Sequence, residues 1–193
     1  MNTLGSLFDG SGGFPLAGAL SGITPLWASE IEPYPIAVTT SRFPQMKHLG
    51  NVAEVDGRKI PPVDVITFGS PCQDMSVAGK RAGMKHAGKG DDATTRSGLF
   101  YEAIRIIREM REATNGKYPA FAIWENVPGA FSSNKGEDFR CVLEEFAKIC
   151  EGGVFNSSTC WREVESCRRD RGKRILHCMA AVRRSILGSA PAP

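Results

Sequence analysis

Two side chains in this sequence combine a reactive type with a setting that can use it. Cys72 lies just past the apolar run Val63 to Phe68, within Gly69-Ser70-Pro71-Cys72-Gln73, and Glu125 directly follows Phe121 to Trp124 in Glu125-Asn126-Val127-Pro128. A thiolate is a nucleophile and a carboxyl can give or take a proton. Both runs are rich in β-branched and aromatic residues, so each group stands at the end of a predicted buried strand, where open α/β sheets bind their ligands. Asp9-Gly10-Ser11-Gly12-Gly13 ends the run Thr3 to Phe8 and precedes helical spacing from Phe14 to Leu20. A strand, glycine turn and helix in that order present backbone amides to a ligand, although a glycine run alone serves equally as a flexible turn. Glu30 ends the next strand, Pro25 to Ser29, and sits where an acid commonly accepts ribose hydroxyls. By itself it is also a solvated strand-end carboxylate.

The elements needed to position these groups follow in order. Pro33 to Arg42 is predicted as a helix opening on proline, and a short extended piece near His48-Leu49 leads to Asn51. After the strand Val63 to Phe68, the stretch from Gly69 to Gly98 holds six glycines together with Lys80, Arg81, Lys85, His86 and Lys89. It reads as a basic loop able to close over an anion. Ser97 is the expected cap of a helix Leu99 to Glu112, with Leu99, Ala103, Ile106, Ile107 and Met110 inward and Arg105, Arg108, Glu109 and Arg111 mostly on other faces. Gly136 to Ile149 is a last helix with Phe139, Val142, Leu143 and Phe146 inward. Alternation of strand and helix predicts an α/β fold, a Rossmann-like doubly wound and mostly parallel sheet.

The 193 residues, 41% hydrophobic, suffice for one domain. No export signal or membrane-spanning apolar run is visible, so the expected setting is cytoplasmic, with no membrane partner. None of the six cysteines stands in a CxxC pair, which speaks against a zinc site or disulfide framework. Residues 1–153 carry 16 Lys+Arg against 18 Asp+Glu and residues 154–193 carry 8 against 3, so the net +3 comes from the tail. Net charge therefore gives no argument for nucleic-acid binding; the basic loop beside Cys72 does.

Together, Phe8-Asp9-Gly10-Ser11-Gly12-Gly13-Phe14, Ala28-Ser29-Glu30, Gly69-Ser70-Pro71-Cys72-Gln73 with Ser76 and Gly79, Arg96-Ser97-Gly98-Leu99-Phe100, and Glu125-Asn126-Val127 resemble the DNA (cytosine-5) methyltransferases over residues 4 to 149. The resemblance implies methyl transfer from S-adenosylmethionine to a cytosine flipped out of double-stranded DNA, in a bacterial or phage setting that can include a cognate restriction endonuclease. It makes Cys72 the nucleophile for carbon 6, a buried Glu125 with raised pKa the group on ring nitrogen 3, and Ser76 a further catalytic residue. Phe8, Asp9, Gly10, Ser11, Gly12, Glu30, Ile31, Asn51, Pro71 and Leu99 would form the cofactor site, with Glu30 on the ribose and Ile31 and Asn51 near the adenine. Gln73, Lys80, Arg81 and Lys85 would contact DNA. Transfer-RNA cytosine methylation and a non-catalytic cofactor-binding remnant are the alternative readings.

The resemblance stops near residue 152. Residues 1–152 read as a partial catalytic domain, incomplete at its C-terminal end, and 153–193 as a basic, atypical and disordered tail. The family's Gln-x-Arg-x-Arg motif, target-recognition domain and final helix are not found in it. Shifting plausible codons from Ile175 onward by one base yields family-like segments, which makes a reading-frame change near Gly152 a hypothesis for the coding DNA to test. On this reading the sheet has an open edge beside Phe121 to Trp124, and little methylation is expected from these residues alone.

Overall fold

A computed structural model describes residues 2–69, 96–131, 133–149 and 178–180. Its core is a sheet whose first five strands, β1 (Thr3–Leu7), β2 (Thr24–Ser29), β3 (Lys47–His48), β4 (Val65–Phe68) and β5 (Phe121–Trp124), are parallel, in the order β3-β2-β1-β4-β5. The order runs outward one way from β1 and the other way from β4. Between those strands lies the topological switch point at which such sheets open a crevice.

The connections are the helices α1 (Gly13–Leu20), α2 (Pro33–Arg42) and α3 (Arg96–Ala113), and α4 (Glu137–Ile149) follows β5. Helix α2 has the expected bounds because Pro33 presets its first turn and Phe43 leaves helical geometry behind Arg42. Helix α3 already starts at Arg96, so Ser97 lies within its first turn and is not the residue before it. Its buried stripe is wider than the expected face, taking in Phe100 and Ile104 along with Ala103, Ile106, Ile107 and Met110. Arg111, expected mostly outside, is also buried, because Nη1 donates to the carbonyl of Pro119 at 2.8 Å. That bond satisfies a guanidinium whose stem completes the apolar stripe.

Register decides where the site can be. Leu7 lies opposite both Ser29 and Phe68, and Phe68 lies opposite Trp124. Four strands therefore end level, and the next residues, Glu30, Phe8, Gly69 and Glu125, stand in a row along one edge. With strands about 4.8 Å apart, the row from Glu30 to Glu125 spans roughly 14 Å. Phe68 and Trp124 anchor its right-hand half. Both are fully buried beneath α3 and α4, where Phe100 lies 6.2 Å from Phe68 and 6.0 Å from Trp124, and Phe139 stacks on Trp124 at 6.3 Å between ring centroids. Such aromatic packing fixes a strand end far more tightly than a loop could.

A sixth strand, β6 (Cys178–Ala180), pairs antiparallel with β5, Ala122 facing Ala180 and Trp124 facing Cys178. The edge expected to be open beside Phe121 to Trp124 is therefore covered by three residues from the part of the chain read as an atypical, disordered tail. Three residues are too few to show alternation in a sequence. The rest of residues 150–193 lies outside the described residues, as does the basic loop 70–95.

Candidate active site

The glycine turn after β1 is built on three left-handed residues, Phe8 (φ 55°), Gly10 (φ 55°) and Gly12 (φ 88°). At Gly12 a side chain is excluded twice over: φ disfavours one, and a Cβ would come within 2.7 Å of Thr39 Cγ2 on α2. At Gly10 the space outside the turn is open, with nothing within 4 Å of where a Cβ would stand. That opening is a place for a ligand to lie against the backbone.

Glu30 is held firmly. Its Oε2 accepts from the Gly10 N–H at 2.8 Å, and its Oε1 accepts from the N–H groups of Ile31 at 2.7 Å and Glu32 at 3.0 Å. The Gly10 amide is thus engaged with Glu30 and does not face a ligand, contrary to the simplest reading of a glycine turn. Oε1 is filled by its two donors, while Oε2, with one, still has acceptor capacity for an incoming hydroxyl. Beside it, Ser29 Oγ donates to the Gly50 carbonyl at 2.7 Å, tying the end of β2 to the turn that carries Asn51. Asn51 caps that turn, its Oδ1 accepting from Ala53 N–H at 3.1 Å, and both it and Ile31 are exposed. They flank the same strand end as an open shelf.

Asp9 points the other way, into the protein. It is only 6% exposed; Oδ1 accepts from Ser6 Oγ at 2.7 Å, and Oδ2 is buried with no hydrogen-bond donor. Burial raises its pKa from 3.8 to about 6, the Ser6 hydrogen bond opposes that rise, and the Glu30 charge adds to it. Ser6 was not legible as a partner, since only the twist of the turn brings Asp9 back beside it.

At the other end of the row, the Glu125 N–H donates to the Phe68 carbonyl at 2.9 Å and prolongs the β4–β5 ladder past Trp124. Its carboxylate lies over Gly69, where a Cβ would stand 2.9 Å from Oε2 and 3.9 Å from Phe14 Cε2. Glu125 is exposed, which corrects the expectation of a buried carboxyl: the neighbour across the ladder is a glycine with no side chain to cover it. Asn126 folds its Oδ1 back onto the Val127 N–H at 2.8 Å and leaves a buried Nδ2 without an acceptor. Phe14 and Gly69, the residues between the two acids, carried no chemical signal of their own. Leu99 is partly buried against the core at the start of α3. Pro71, Cys72, Gln73, Ser76, Lys80, Arg81 and Lys85 lie outside the described residues.

Phe8, the glycine turn, Glu30, Gly69 and Glu125 are therefore brought to one sheet edge, with Cys72 three residues beyond Gly69 in sequence. Solved structures share this fold: a protein assigned as a DNA modification methyltransferase in an E. coli prophage aligns with TM-score 0.56 and 24% identity over 77% of this chain and 38% of its own. The S. pombe Dnmt2 methyltransferase aligns with TM-score 0.51 and 18% identity over 75% and 42%. Among curated relatives, the DNA N-6-adenine-methyltransferase of Escherichia phage P1 is 32% identical over 147 residues, 74% of this chain and 19% of that protein. Orphan methyltransferase M.SPRI of Bacillus phage SPR is 30% identical over 148 residues, 75% and 30%. Type II methyltransferase M1.ScrFI of Lactococcus lactis subsp. cremoris is 32% identical over 144 residues, 74% and 33%. The chain thus spans a third or less of the length of these relatives. The family model for C-5 cytosine-specific DNA methylases matches residues 2–151, and to that family the chain belongs.

Proposed function

We propose that these residues form the cofactor-binding and base-handling part of a DNA (cytosine-5) methyltransferase, which transfers a methyl group from S-adenosylmethionine to carbon 5 of a cytosine flipped out of duplex DNA. The observation that supports this most is the level row of strand ends, which sets Glu30 and Glu125, the acids this reading gives to the ribose and to the base, roughly 14 Å apart on one edge. The cofactor fits the residues present: Glu30 is pre-oriented with acceptor capacity left, the space over Gly10 is open, and Ile31 and Asn51 offer an exposed shelf for an adenine. Phe8, Ser11, Gly12, Pro71 and Leu99 complete that site in this reading.

When bound, S-adenosylmethionine supplies an electrophilic methyl group on a sulfonium. The chain's own residues prepare the base. Carbon 5 of cytosine is a weak nucleophile, so Cys72 Sγ, as thiolate, adds to carbon 6, and the electron pair of the 5,6 double bond moves onto the ring. Glu125 holds ring nitrogen 3, supplies its proton and accepts from the exocyclic amine, which gives carbon 5 enamine character. After methylation, loss of the carbon 5 proton to a base returns electrons to the 5,6 bond. The carbon–sulfur pair then leaves with Cys72. Ser76 supports the nucleophile, while Gln73, Lys80, Arg81 and Lys85 hold the DNA around the flipped nucleotide. A restriction-modification setting with a cognate endonuclease, in the cytoplasm, accompanies this reading; among the described residues no helix is long and apolar enough to cross a membrane.

Two measurements test it. Calorimetric titration with S-adenosylhomocysteine is expected to show one site, weakened at least about tenfold in Glu30→Ala; no binding to the intact chain would sink the cofactor assignment. Duplex DNA carrying 5-fluorocytosine cannot lose its carbon 5 substituent, so with S-adenosylmethionine even the little methylation expected of these residues alone should accumulate as a covalent complex on a denaturing gel. That complex is expected to vanish in Cys72→Ser, and its persistence there would refute the role of Cys72. An N6-adenine amino group needs no thiolate adduct, so a covalent complex with 5-fluorocytosine would set this reaction apart from N6-adenine methylation, the activity in the name of the phage P1 relative.

A further inference from the structure

We infer that Asp9 is a specificity-determining residue of the cofactor site: from beneath the glycine turn, its carboxylate supplies the counter-charge for a cationic group of the bound cofactor. The inference rests on the cofactor reading above. The two acids at this end of the row differ in what they lack. Glu30 has three backbone N–H donors and faces outward. Asp9 has one donor, Ser6 Oγ, and an inward oxygen with neither donor nor solvent.

A buried carboxylate oxygen left in this state is unstable as an anion unless something positive arrives. Among the described residues no cationic side chain provides it, and the partial positive charge of the α1 N-terminus is the nearest substitute. Asp9 has no basic partner there; the charged group that faces it is Glu30 from the end of β2, which opposes ionisation. From α2 the neighbour is the uncharged Thr39, whose Cγ2 lies against Gly12, with His48 Nε2 behind it at 3.3 Å from Thr39 Oγ1. The carboxylate points towards the N-terminus of α1, Oδ2 lying 3.9 Å from where a Gly12 Cβ would stand. With Gly10, Gly12 and Gly13 all lacking side chains, Ser11 is the one residue of the turn that adds a side chain on the way from its outer face to Asp9. Direct contact is not required, since charges interact strongly across a few ångströms of poorly polarisable backbone.

S-adenosylmethionine carries two cationic groups, an ammonium and a sulfonium, and S-adenosylhomocysteine keeps only the ammonium. Either group near the turn would draw the proton off Asp9. Binding should therefore release a proton near pH 6, where free Asp9 is half protonated. Affinity should fall on the order of tenfold between about pH 8 and about pH 5.

Calorimetry of the full chain in two buffers of different ionisation enthalpy, across this pH range and with both ligands, reads the released proton directly. Release with both ligands places the ammonium over Asp9, and release with S-adenosylmethionine alone places the sulfonium there; both outcomes support the inference. Asp9→Asn should bind with no release near pH 6. In Ser6→Ala, which removes the hydrogen bond that favours the anion, release should move to higher pH. Binding of both ligands without release, or release unchanged in Asp9→Asn, overturns the inference and leaves the cofactor reading standing. Absence of binding by either ligand overturns both.

Discussion

Replacing Asp9 by asparagine keeps the shape and the Ser6 hydrogen bond and removes the ionisation, which isolates an electrostatic strain in the folded chain. The folded-state pKa is about 6 against an ordinary 3.8. A carboxyl whose folded pKa is raised stabilises the fold below the unfolded value and loses that contribution as pH rises through the folded one. Below about pH 3.5 both states hold the proton; between about 4 and 6 the unfolded chain releases it while the folded chain keeps it; above about 7 both are ionised. Stability should therefore fall by up to about 1.4 kcal/mol per pH unit across that window, and by about 3 kcal/mol in total. Other groups titrate in the same range, so the quantity to measure is the difference between Asp9→Asn and the parent. Urea unfolding followed by tryptophan fluorescence should show that difference moving in favour of the variant by about 2 kcal/mol from about pH 4.5 to about pH 7.5. Parallel stability curves would refute the reasoning. So would a difference moving the other way, which would mean that Asp9 is held as an anion by a cation near it.

The other predictions separate the ends of the row. Glu30→Ala removes the acceptor for three N–H groups and should raise the dissociation constant for S-adenosylhomocysteine at least about tenfold, about 1.4 kcal/mol, with a small change in melting temperature. Gly69→Ala forces the Glu125 carboxylate away from a Cβ that would stand 2.9 Å from Oε2; covalent complex formation with 5-fluorocytosine DNA should slow by about tenfold to a hundredfold, cofactor affinity staying within about twofold. Phe68→Ala, emptying the space among Phe100, Phe146 and the sheet, should destabilise the fold by about 3–5 kcal/mol in urea titration. Arg105→Ala removes the guanidinium that donates to the carbonyls of Val52 and Val55; a loss of about 1–3 kcal/mol, with faster proteolysis near Asn51, is expected.

The sequence revealed what depends on local pattern and missed what depends on distant neighbours. Alternating runs ended by glycine or an acid marked β1, β2, β4 and β5, and a proline start marked α2, so the strand-end row could be read before any geometry was known. Exposure of Glu125 could not be read, because it depends on which residue lies across the ladder, and that residue is Gly69. Burial of Arg111 likewise depends on a carbonyl at Pro119 that the turn after α3 brings back to it. The pairing of Ser6 with Asp9 needs the left-handed step at Phe8, a conformation no propensity scale assigns to phenylalanine. Strand β6 was missed because three residues among arginines offer no period to detect.

These contrasts follow from the unequal covering of the sheet. On the α3 and α4 side, large aromatic and aliphatic side chains are buried around Phe68 and Trp124. Helix α1 buries only Pro15 and Gly18, and α2 only Thr39, while Leu16, Leu20 and Tyr34 remain exposed. The ends of β4 and β5, which carry Gly69 and Glu125, are thus fixed largely by packing, whereas at those of β1 and β2 the buried Leu7 and Ala28 are joined by the hydrogen bonds of Asp9, Ser29 and Glu30. Packing is insensitive to pH, but a network of two acids is not. The proposed cofactor end of the row should therefore respond to pH and to single polar substitutions, and the proposed base-handling end to loss of buried volume. Measuring hydrogen exchange at Gly10 and Glu125 at about pH 5 and about pH 8 would show this: protection should change at the first amide and hold at the second, once intrinsic rates are divided out.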